Sequence, residues 1–271
     1  MTGMAALDAE ALRAALVAPA GAYAALDVVD TTGSTNADLL ATADAADRTV
    51  LIAESQTAGR GRRSREWVSP PDAGLYLSVL LRPDGVPPAR YGSLALVAGI
   101  ALVRAARHAG VTAALKWPND LLAGTSMRKC AGVLAEVDGG QHTAVVVGIG
   151  LNVGPLGIDV PPGPGGLPAT SLAEEGGSGD RAEVAIALLR AFDEAERSWR
   201  DAHGDLAAAG LLAEYRSHCS TLGQRVRVEM PEGHDLQGIA IDVDTDGRLV
   251  VDAAGTARTV SAGDVVHLRG A

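Results

Sequence analysis

The hydrophobic pattern of this chain changes near residue 221, and this change restricts the fold more than any other feature. Beyond residue 224 the apolar residues alternate in short segments such as 226–228 and 239–243, and turn signals such as Asp246-Gly247 separate them. Short alternating strands with regular turns are typical of a small all-β barrel. Before residue 221, helical and strand-like patterns are mixed. We therefore expect an α+β domain over residues 1–220 and a β-barrel over residues 221–271.

The first 220 residues show the patterns expected for a mixed β-sheet with helices. Apolar residues at helical spacing predict helices over 7–17, 35–40, 89–109, 181–202 and 206–218. Apolar and β-branched runs predict strands over 26–29, 50–53, 75–81, 114–116, 121–123, 129–137 and 143–153, with a turn at Asp138-Gly139-Gly140. The segments 56–74 and 154–168 are expected to be loops. Because the helix over 89–109 is apolar throughout, we expect it to be buried.

Composition excludes several classes of protein. The chain has 271 residues and a formal net charge of −10, which argues against a general nucleic-acid coat or a binder of anionic membranes. Its two cysteines cannot form a disulfide framework, and its six histidines lack the spacing of a zinc site. The N-terminus lacks the basic segment of a signal peptide, and the longest apolar run, 94–103, is shorter than the roughly 20 residues that span a bilayer. We expect a cytoplasmic protein.

A basic, glycine-containing loop follows the strand predicted over 50–53. Between Gln56 and Trp67 it contains four arginines, which are Arg60, Arg62, Arg63 and Arg65. Glycine lets a backbone approach an anion, and guanidinium groups bind phosphate through two hydrogen bonds. A Walker loop is absent, and a dinucleotide fingerprint fits poorly because Ser64 replaces its third glycine. A nucleotide-phosphate site, a nucleic-acid-binding arm and a structural loop all stay open. Without a ligand, the repelling arginines should leave the loop mobile.

Only two of the 23 basic residues are lysines, and each lies in a distinctive segment. The segment Lys116-Trp117-Pro118-Asn119-Asp120 is either a structural β-turn or a polar ligand site whose Asp120 could bind Mg²⁺. The segment Lys129-Cys130-Ala131-Gly132 holds either an exposed strand-edge lysine or a place where a ligand approaches glycine. Further on, Gly148-Ile149-Gly150-Leu151-Asn152 puts two glycines in a strand, where they are costly unless a ligand or a backbone needs room.

Together these segments resemble the bacterial biotin–protein ligases, which are biotin–[acetyl-CoA-carboxylase] ligases. The matching segments follow the family's order across nearly the whole chain. They are Ser34-Thr35-Asn36, Gly59-Arg60-Gly61-Arg62 with Trp67, 116–120, Lys129-x-Ala131-Gly132 and 148–152. The resemblance implies a class II synthetase-like α+β catalytic domain followed by an SH3-like barrel. Because only 33 residues precede Ser34, we expect the monofunctional type without the N-terminal DNA-binding domain.

The resemblance also implies a reaction. Such a ligase uses ATP and Mg²⁺ to activate biotin as biotinyl-5'-AMP with release of pyrophosphate, and then transfers biotin to a lysine of a biotin carboxyl carrier domain. That domain would belong to an acyl-CoA, acetyl-CoA or pyruvate carboxylase, and no nucleic-acid or membrane partner is expected. The alternatives are a lipoate or octanoyl transfer enzyme, and a non-enzymatic biotin sensor or DNA-binding repressor.

Roles for individual residues follow from the same resemblance. The implied biotin-binding residues are Ser34, Thr35, Asn36, Gln56, Gly59, Arg60, Arg62, Lys129, Gly132 and Gly150. The implied ATP- and adenylate-binding residues are Arg62, Arg63, Arg65, Trp67, Asn119, Asp120, Lys129 and Asn152. Lys129, Arg62 and Arg60 would be catalytic, and Asp120 is the candidate metal ligand. Two positions depart from the family pattern, since Ser64 stands where glycine is usual and Cys130 where leucine is usual.

Overall fold

Two β-sheets and a set of α-helices make up the structure. This computed structural model describes residues 6–42, 44–68, 70–138, 143–163, 165–230, 235–261 and 263–268. The helices within these residues are α1 (Ala9–Leu16), α2 (Thr35–Ala41), α3 (Leu94–His108), α4 (Arg181–Asp201) and α5 (Leu211–His218). Helices combined with a mixed sheet confirm the predicted α+β class.

The larger sheet has seven strands. They are β1 (Ala25–Thr32), β2 (Thr49–Gln56), β3 (Gly74–Leu81), β4 (Ala113–Lys116), β5 (Asp120–Ala123), β6 (Arg128–Asp138) and β7 (Ala144–Asn152), in the order β1-β2-β3-β7-β6-β5-β4. β1 and β2 run parallel, and the other neighbours are antiparallel. The strands predicted between residues 26 and 153 are confirmed, while Gly139 and Gly140 of the predicted turn lie outside the described residues.

The two faces of the larger sheet have different covers. Alternate residues of β3 and β7, such as Val79 and Val147, join the main hydrophobic core, to which α3 and α4 contribute. On the other face, Leu80 and Val146 form a smaller cluster with Leu39 of α2. The glycine-rich part of β6 and β7 next to α2 borders a cavity instead of a hydrophobic cluster.

α3 is the apolar helix predicted over 89–109, and it is buried. Its buried residues include Leu94, Ile100 and Val103, while residues 88–93 form a 3₁₀ turn before it. The combined segment Pro88–His108 is long and apolar enough to cross a membrane by length and composition alone, yet 72% of its 18-residue apolar window lies inside the protein. Such burial is expected of a core helix.

α5 begins five residues later than predicted. The prediction of helix over 206–210 was wrong, because Gly210 has a φ of 74° in the left-handed region and the residues before it form turns. The carboxylate of Asp205 accepts the N–H groups of Ala207 and Ala208 at 2.9 and 3.0 Å, which stabilises these turns.

The smaller sheet is antiparallel and confirms the all-β pattern predicted at the C-terminal end. Its antiparallel strands are β8 (Arg225–Glu229), β9 (Asp235–Val243), β10 (Leu249–Ala253), β11 (Thr256–Val260) and β12 (Asp264–His267), in the order β11-β10-β9-β8-β12. Its buried valines belong to the same hydrophobic core as the larger sheet. The boundary at residue 221 stays a prediction.

Candidate functional site

A cavity of about 370 Å³ lies on the face of the larger sheet next to α2. Its floor consists of glycines, since Gly148 and Gly150 alternate along β7 and Gly132 of β6 pairs with Gly150. Glycine has no side chain, so the surface of the sheet at these positions is the bare backbone. The glycines that are costly in a strand thus let other side chains approach the sheet closely, namely Asn36 over Gly148 and Trp67 over Gly132 and Gly150.

The indole of Trp67 lies over this glycine floor. A Cβ atom on Gly150 would be 2.4 Å from Trp67 Cε2, and one on Gly132 would be 3.0 Å from Trp67 Cζ3. Because Cβ contacts of 2.4 Å do not occur in proteins, glycine at position 150 is required for the observed ring position. Trp67 Nε1 is buried and has no hydrogen-bond partner among the described residues, so an acceptor on a ligand would stabilise it.

One wall of the cavity is polar and uncharged. The side-chain oxygen of Gln56 accepts hydrogen bonds from Thr35 N at 2.9 Å and Thr35 Oγ1 at 3.2 Å. Ser78 Oγ lies 2.7 Å from Thr35 Oγ1. Ser34 precedes α2, where its buried side chain makes no capping hydrogen bond. These groups can form hydrogen bonds with a small polar ring, and Gln56 fixes the orientation of Thr35.

Asn36 is held by the protein on all sides. Its Nδ2 donates to Glu136 Oε2 at 2.7 Å and to Leu134 O at 3.2 Å, and its Oδ1 lies 2.6 Å from Ser78 Oγ. A Cβ atom on Gly148 would be 2.2 Å from Asn36 Oδ1. Asn36 therefore connects α2 to the sheet, and both of its N–H groups have protein partners.

A second group of lining residues is positively charged. Lys129 Nζ lies 2.7 Å from Asp120 Oδ1, and Lys116 Nζ lies 3.8 Å from Asp120 Oδ2. Arg62 Nη1 donates to Asn119 Oδ1 at 3.4 Å. Burial lowers the pKa of both Lys116 and Arg62, and nearby carboxylates oppose these shifts. Three cations around the buried Asp120 carboxylate favour the binding of an anion.

A β-bulge turns Lys129 toward the cavity. Leu121 and Leu122 are consecutive in β5, and they pair with Ala131 and Lys129 of β6. Cys130 between these partners has no opposite residue and is therefore an extra residue in β6. In a regular strand, residues 129 and 132 would point to opposite faces. The extra residue shifts this alternation, and both Lys129 and Gly132 line the cavity. Lys129 Nζ lies 5.5 Å from the centre of the Trp67 ring.

Two of the four loop arginines reach the smaller sheet. Arg65 Nη2 lies 2.5 Å from Asp264 Oδ1, and Arg63 Nη1 lies 3.2 Å from Asp264 Oδ2. Burial by itself would raise the pKa of Asp264, but hydrogen bonds from Arg65 and Arg63 lower it. Arg60, Arg62 and Arg65 line the cavity, whereas Arg63 and Gly59 do not. These ion pairs offset part of the repulsion among the loop arginines, on which the prediction of a mobile loop was based. The mobility of the loop stays a prediction.

The Pro/Gly-rich segment predicted as a surface loop over 154–168 also reaches the cavity, which residues 160–163 line. The backbone N–H of Lys129 donates to Pro168 O at 2.8 Å, and the carbonyl of Lys129 accepts the N–H of Thr170 at 2.9 Å. Asn152 Nδ2 donates to Thr170 O at 2.8 Å. Asn152 thus helps to hold the end of this segment beside the cavity.

Asp120 was the candidate metal ligand, and its surroundings do not favour a protein-held ion. Both of its carboxylate oxygens face lysine ammonium groups. Among the described residues, no group of three or more His, Cys, Asp or Glu side chains could hold a metal. The donor set therefore fits Mg²⁺ only where a ligand supplies most of the oxygen atoms.

Most of the predicted site residues come together in this cavity, and several lining residues were missed. The missed residues include Leu134, Gly148, Pro162 and Asp264, whereas Lys116, whose segment was left open as a turn or a ligand site, lines the cavity. Gly148 could have been found, since it shares a motif and a face of β7 with Gly150. Asp264 offered no such signal, because it lies 199 residues from Arg65 in the chain.

Comparison with known proteins assigns the chain to a family. Residues 25–152 match the biotin/lipoate A/B protein ligase family, and residues 221–268 match the biotin protein ligase C terminal domain. The biotin--[acetyl-CoA-carboxylase] ligase of Mycobacterium tuberculosis is 46% identical over 271 residues, covering 97% of this chain and 96% of the relative. The chain belongs to the biotin protein ligase family. The resemblance seen in the motifs is thereby confirmed.

Other biotin protein ligases show the same relationship. The bifunctional ligase/repressor BirA of Bacillus subtilis is 33% identical over 243 residues, covering 88% of this chain and 72% of the relative. A solved structure of the biotin protein ligase from Aquifex aeolicus in complex with biotin and ATP has a TM-score of 0.75 at 26% identity, covering 92% of this chain and all of that one. The fold of this chain is thus that of the biotin protein ligases.

Proposed function

We propose that this protein is an ATP-dependent biotin–protein ligase. It activates biotin as biotinyl-5'-AMP with release of pyrophosphate and then transfers biotin to a lysine of a carrier domain. One observation carries this proposal: a glycine-floored cavity joins an uncharged polar wall to a cluster of three cations around Asp120. This arrangement suits a small molecule with a polar ring at one end and a carboxylate at the other.

Biotin binds along the glycine floor in this proposal. Ser34, Thr35 and Gln56 form hydrogen bonds with its ureido ring, and Gly132 and Gly150 line its pocket through their backbones. Asn36 holds α2 in position rather than binding biotin directly, because its N–H groups already have protein partners. Gly59 contributes through the loop backbone, as its carbonyl accepts the N–H of Trp67 at 2.9 Å.

Activation brings a carboxylate next to the α-phosphate of ATP, so two anions must approach each other. Lys129 and Arg62 offset this repulsion and the charge that develops on the phosphate. The side chain of Arg60 is more exposed than that of Lys129, and its Nη1 lies 3.8 Å from Glu136 Oε1. Arg60 therefore acts at the edge of the cavity. The chemistry needs no nucleophile from the enzyme, because the biotin carboxylate attacks the α-phosphate as pyrophosphate leaves, and the carrier lysine then attacks the acyl carbon as AMP leaves. Much of the rate comes from proximity and electrostatics.

The nucleotide occupies the part of the cavity between the loop and the charged cluster. Trp67, Asn119, Asp120 and Asn152 surround the adenylate, and Arg63 and Arg65 act from the loop. Mg²⁺ held beside Asp120, mainly by oxygen atoms of the nucleotide, would offset the negative charge of the leaving pyrophosphate. Because an acyl-adenylate hydrolyses in water, the loop over the floor also protects it until the carrier lysine attacks.

The carrier is a biotin carboxyl carrier domain of an acetyl-CoA, acyl-CoA or pyruvate carboxylase. The Mycobacterium tuberculosis relative is named for acetyl-CoA-carboxylase, which supports the first of these. We place the reaction in the cytoplasm. The two buried cysteines, Cys130 and Cys219, are free thiols, which supports a reducing compartment.

ATP–pyrophosphate exchange measured with biotin, lipoate and octanoate in parallel tests this function. We expect exchange with biotin alone, followed by labelling of a purified carrier domain on addition of that domain. The first family match spans biotin and lipoate ligases, so lipoate is the closest competing substrate. Exchange that lipoate supports and biotin does not would overturn the proposal.

A further inference from the structure

The arginines of the loop point to two different partners. Arg62 lies toward the cavity and donates to Asn119. Arg63 and Arg65 share the two carboxylate oxygens of Asp264, the first residue of β12, and of these two arginines only Arg65 also lines the cavity. Arg63 also donates to the backbone oxygens of Glu229 and Met230 at 3.2 Å each. Asp264 is 9% exposed, so this contact is largely shielded from water.

The loop needs such a partner for two physical reasons. Arg63 has a φ of 55°, which is a left-handed conformation that a non-glycine residue adopts only when its surroundings enforce it. In addition, Arg62, Arg63 and Arg65 are crowded cations that repel one another. Asp264 compensates for both, because one buried carboxylate binds two of the three arginines through charge-assisted hydrogen bonds.

We propose that Asp264 is a positioning residue of the ligase. By binding Arg63 and Arg65, it fixes the loop so that Arg62 and Trp67 face the cavity, and it thereby makes β12 part of the machinery for adenylate formation. Asp264 acts through the loop and does not touch the reacting atoms. This inference rests on the proposed function, since its main readout is biotin-dependent pyrophosphate exchange.

Substitution of Asp264 tests the proposal. We expect Asp264→Asn to reduce the exchange rate about ten- to a hundredfold, because the catalytic groups on the loop lose their alignment. Tryptic cleavage within residues 60–65 should become roughly tenfold faster, since the loop opens more often when a charge-assisted pair is lost. Asp264→Glu keeps the carboxylate and should recover much of both. Exchange and cleavage that stay at the native level in Asp264→Asn would overturn the proposal.

A double-mutant cycle with Arg65→Gln shows whether Asp264 acts through the loop. If it does, the double variant loses no more exchange activity than the worse single variant, because both changes break one contact. Fully additive losses would mean that Asp264 acts elsewhere and would overturn the proposal. Asp235→Asn is the control, since it removes an exposed carboxylate from the same sheet without touching Asp264.

The outcomes also separate this inference from the proposed function. If the native protein shows no biotin-dependent exchange, the proposed function fails, and the tryptic assay still reports whether Asp264 holds the loop. If the native protein is active and Asp264→Asn equals it, only the inference fails. Should Asp264→Asn not fold, Arg65→Gln breaks the same contact from an exposed side chain, and its unchanged activity and loop cleavage would overturn the proposal.

Discussion

Lys129 shows at the scale of one residue why lysine and arginine are not interchangeable. Its ammonium group fits between the Asp120 carboxylate and the face of the Trp67 ring, and its side chain is 20% exposed. A guanidinium group is larger and planar, with its donors in a fixed fork. Arginine at this position would thus displace either the indole or the carboxylate. The scarcity of lysine elsewhere in the chain makes its presence here informative.

Replacement of Lys129 by arginine should therefore affect chemistry more than binding. We expect Lys129→Arg to lower the rate of biotin adenylation about a hundredfold, because the point charge beside the reacting anions is misplaced. ATP binding, measured by calorimetry, should change little. Arg128→Lys, the reverse exchange at the next position, is the control, since Arg128 pairs with Glu175 outside this cluster. Near-normal turnover in Lys129→Arg would contradict the role of Lys129.

Gly150 should be sensitive to the smallest possible side chain. A methyl group there would overlap Trp67, so Gly150→Ala should displace the indole, shift its fluorescence emission to longer wavelength and lower adenylation about tenfold. The emission of Trp67 is obtained by subtracting the spectrum of a protein that carries Trp67→Phe from the spectrum of the same protein with Trp67. Gly92→Ala is the control, because a Cβ at Gly92 meets nothing within 4 Å. An unshifted emission spectrum in Gly150→Ala would show that the ring does not rest on the floor.

At the scale of elements, a contact between the turn after β4 and strand β12 links the two sheets. Thr221 Oγ1 accepts the backbone N–H of Trp117 at 3.0 Å and lies 3.1 Å from His267 Nε2. The Thr221 hydroxyl can then donate its hydrogen to Nε2, which requires a neutral imidazole. Burial, with a smaller effect of Lys116, lowers the pKa of His267 to about 4.

This contact predicts a pH-dependent stability. Since the folded-state pKa of His267 lies below the ordinary histidine value of 6.5, the unfolded chain takes up the proton first as the pH falls. The contribution of His267 to the free energy of unfolding is complete above pH 6.5 and decreases down to about pH 4, by at most about 1.4 kcal/mol per pH unit. Denaturant unfolding of His267→Gln should show a flatter pH dependence than the native protein. His108→Gln, which removes an exposed histidine, is the control, and identical slopes in native protein and His267→Gln would refute the assignment.

Elements whose signals are local were predictable, and their arrangement was not. Periodicity located α3 and the strands of both sheets, because burial imposes a repeat on neighbouring residues. The start of α5 was missed, since a left-handed glycine and an aspartate turn outweighed the helical pattern at 206–210. The strand order could not be predicted, because pairing such as β3 with β7 depends on residues far apart in the chain.

The same limit applies to the candidate site. Ser34, Lys129 and Gly150 were found from motifs that each lie in one short segment. Asp264 and residues 160–163 were not, because only the folded chain brings them to the cavity. Motifs therefore indicate which residues matter chemically, while the residues that hold them in place become visible only in three dimensions.

At the scale of the whole molecule, the two sheets share one hydrophobic core. Val226 and Leu249 of the smaller sheet belong to the same buried cluster as Val79 and Leu115 of the larger one. Trp117 Nε1 donates to Gly247 O at 2.9 Å across this junction. Neither sheet can lose its structure without exposing apolar surface of the other.

The shared core predicts that the two sheets unfold together. Scanning calorimetry of the full chain should show one transition, with a calorimetric enthalpy close to the van't Hoff enthalpy. A transition at the same temperature by far-ultraviolet circular dichroism and by tryptophan fluorescence would agree with this. Two resolved transitions would instead show that the sheets are independent units joined by a weak interface.

The extra residue at Cys130 has a consequence for how this chain can change. Side chains at position 130 are buried against the sheet, so another apolar residue should be accepted there. Removal of the residue would restore simple alternation along the strand, and Lys129 and Gly132, then two positions apart, would still share the face that lines the cavity. Position 130 is therefore a spacer whose side chain can vary within the limits of a buried apolar site, because the side chains on either side of it keep their faces with or without it.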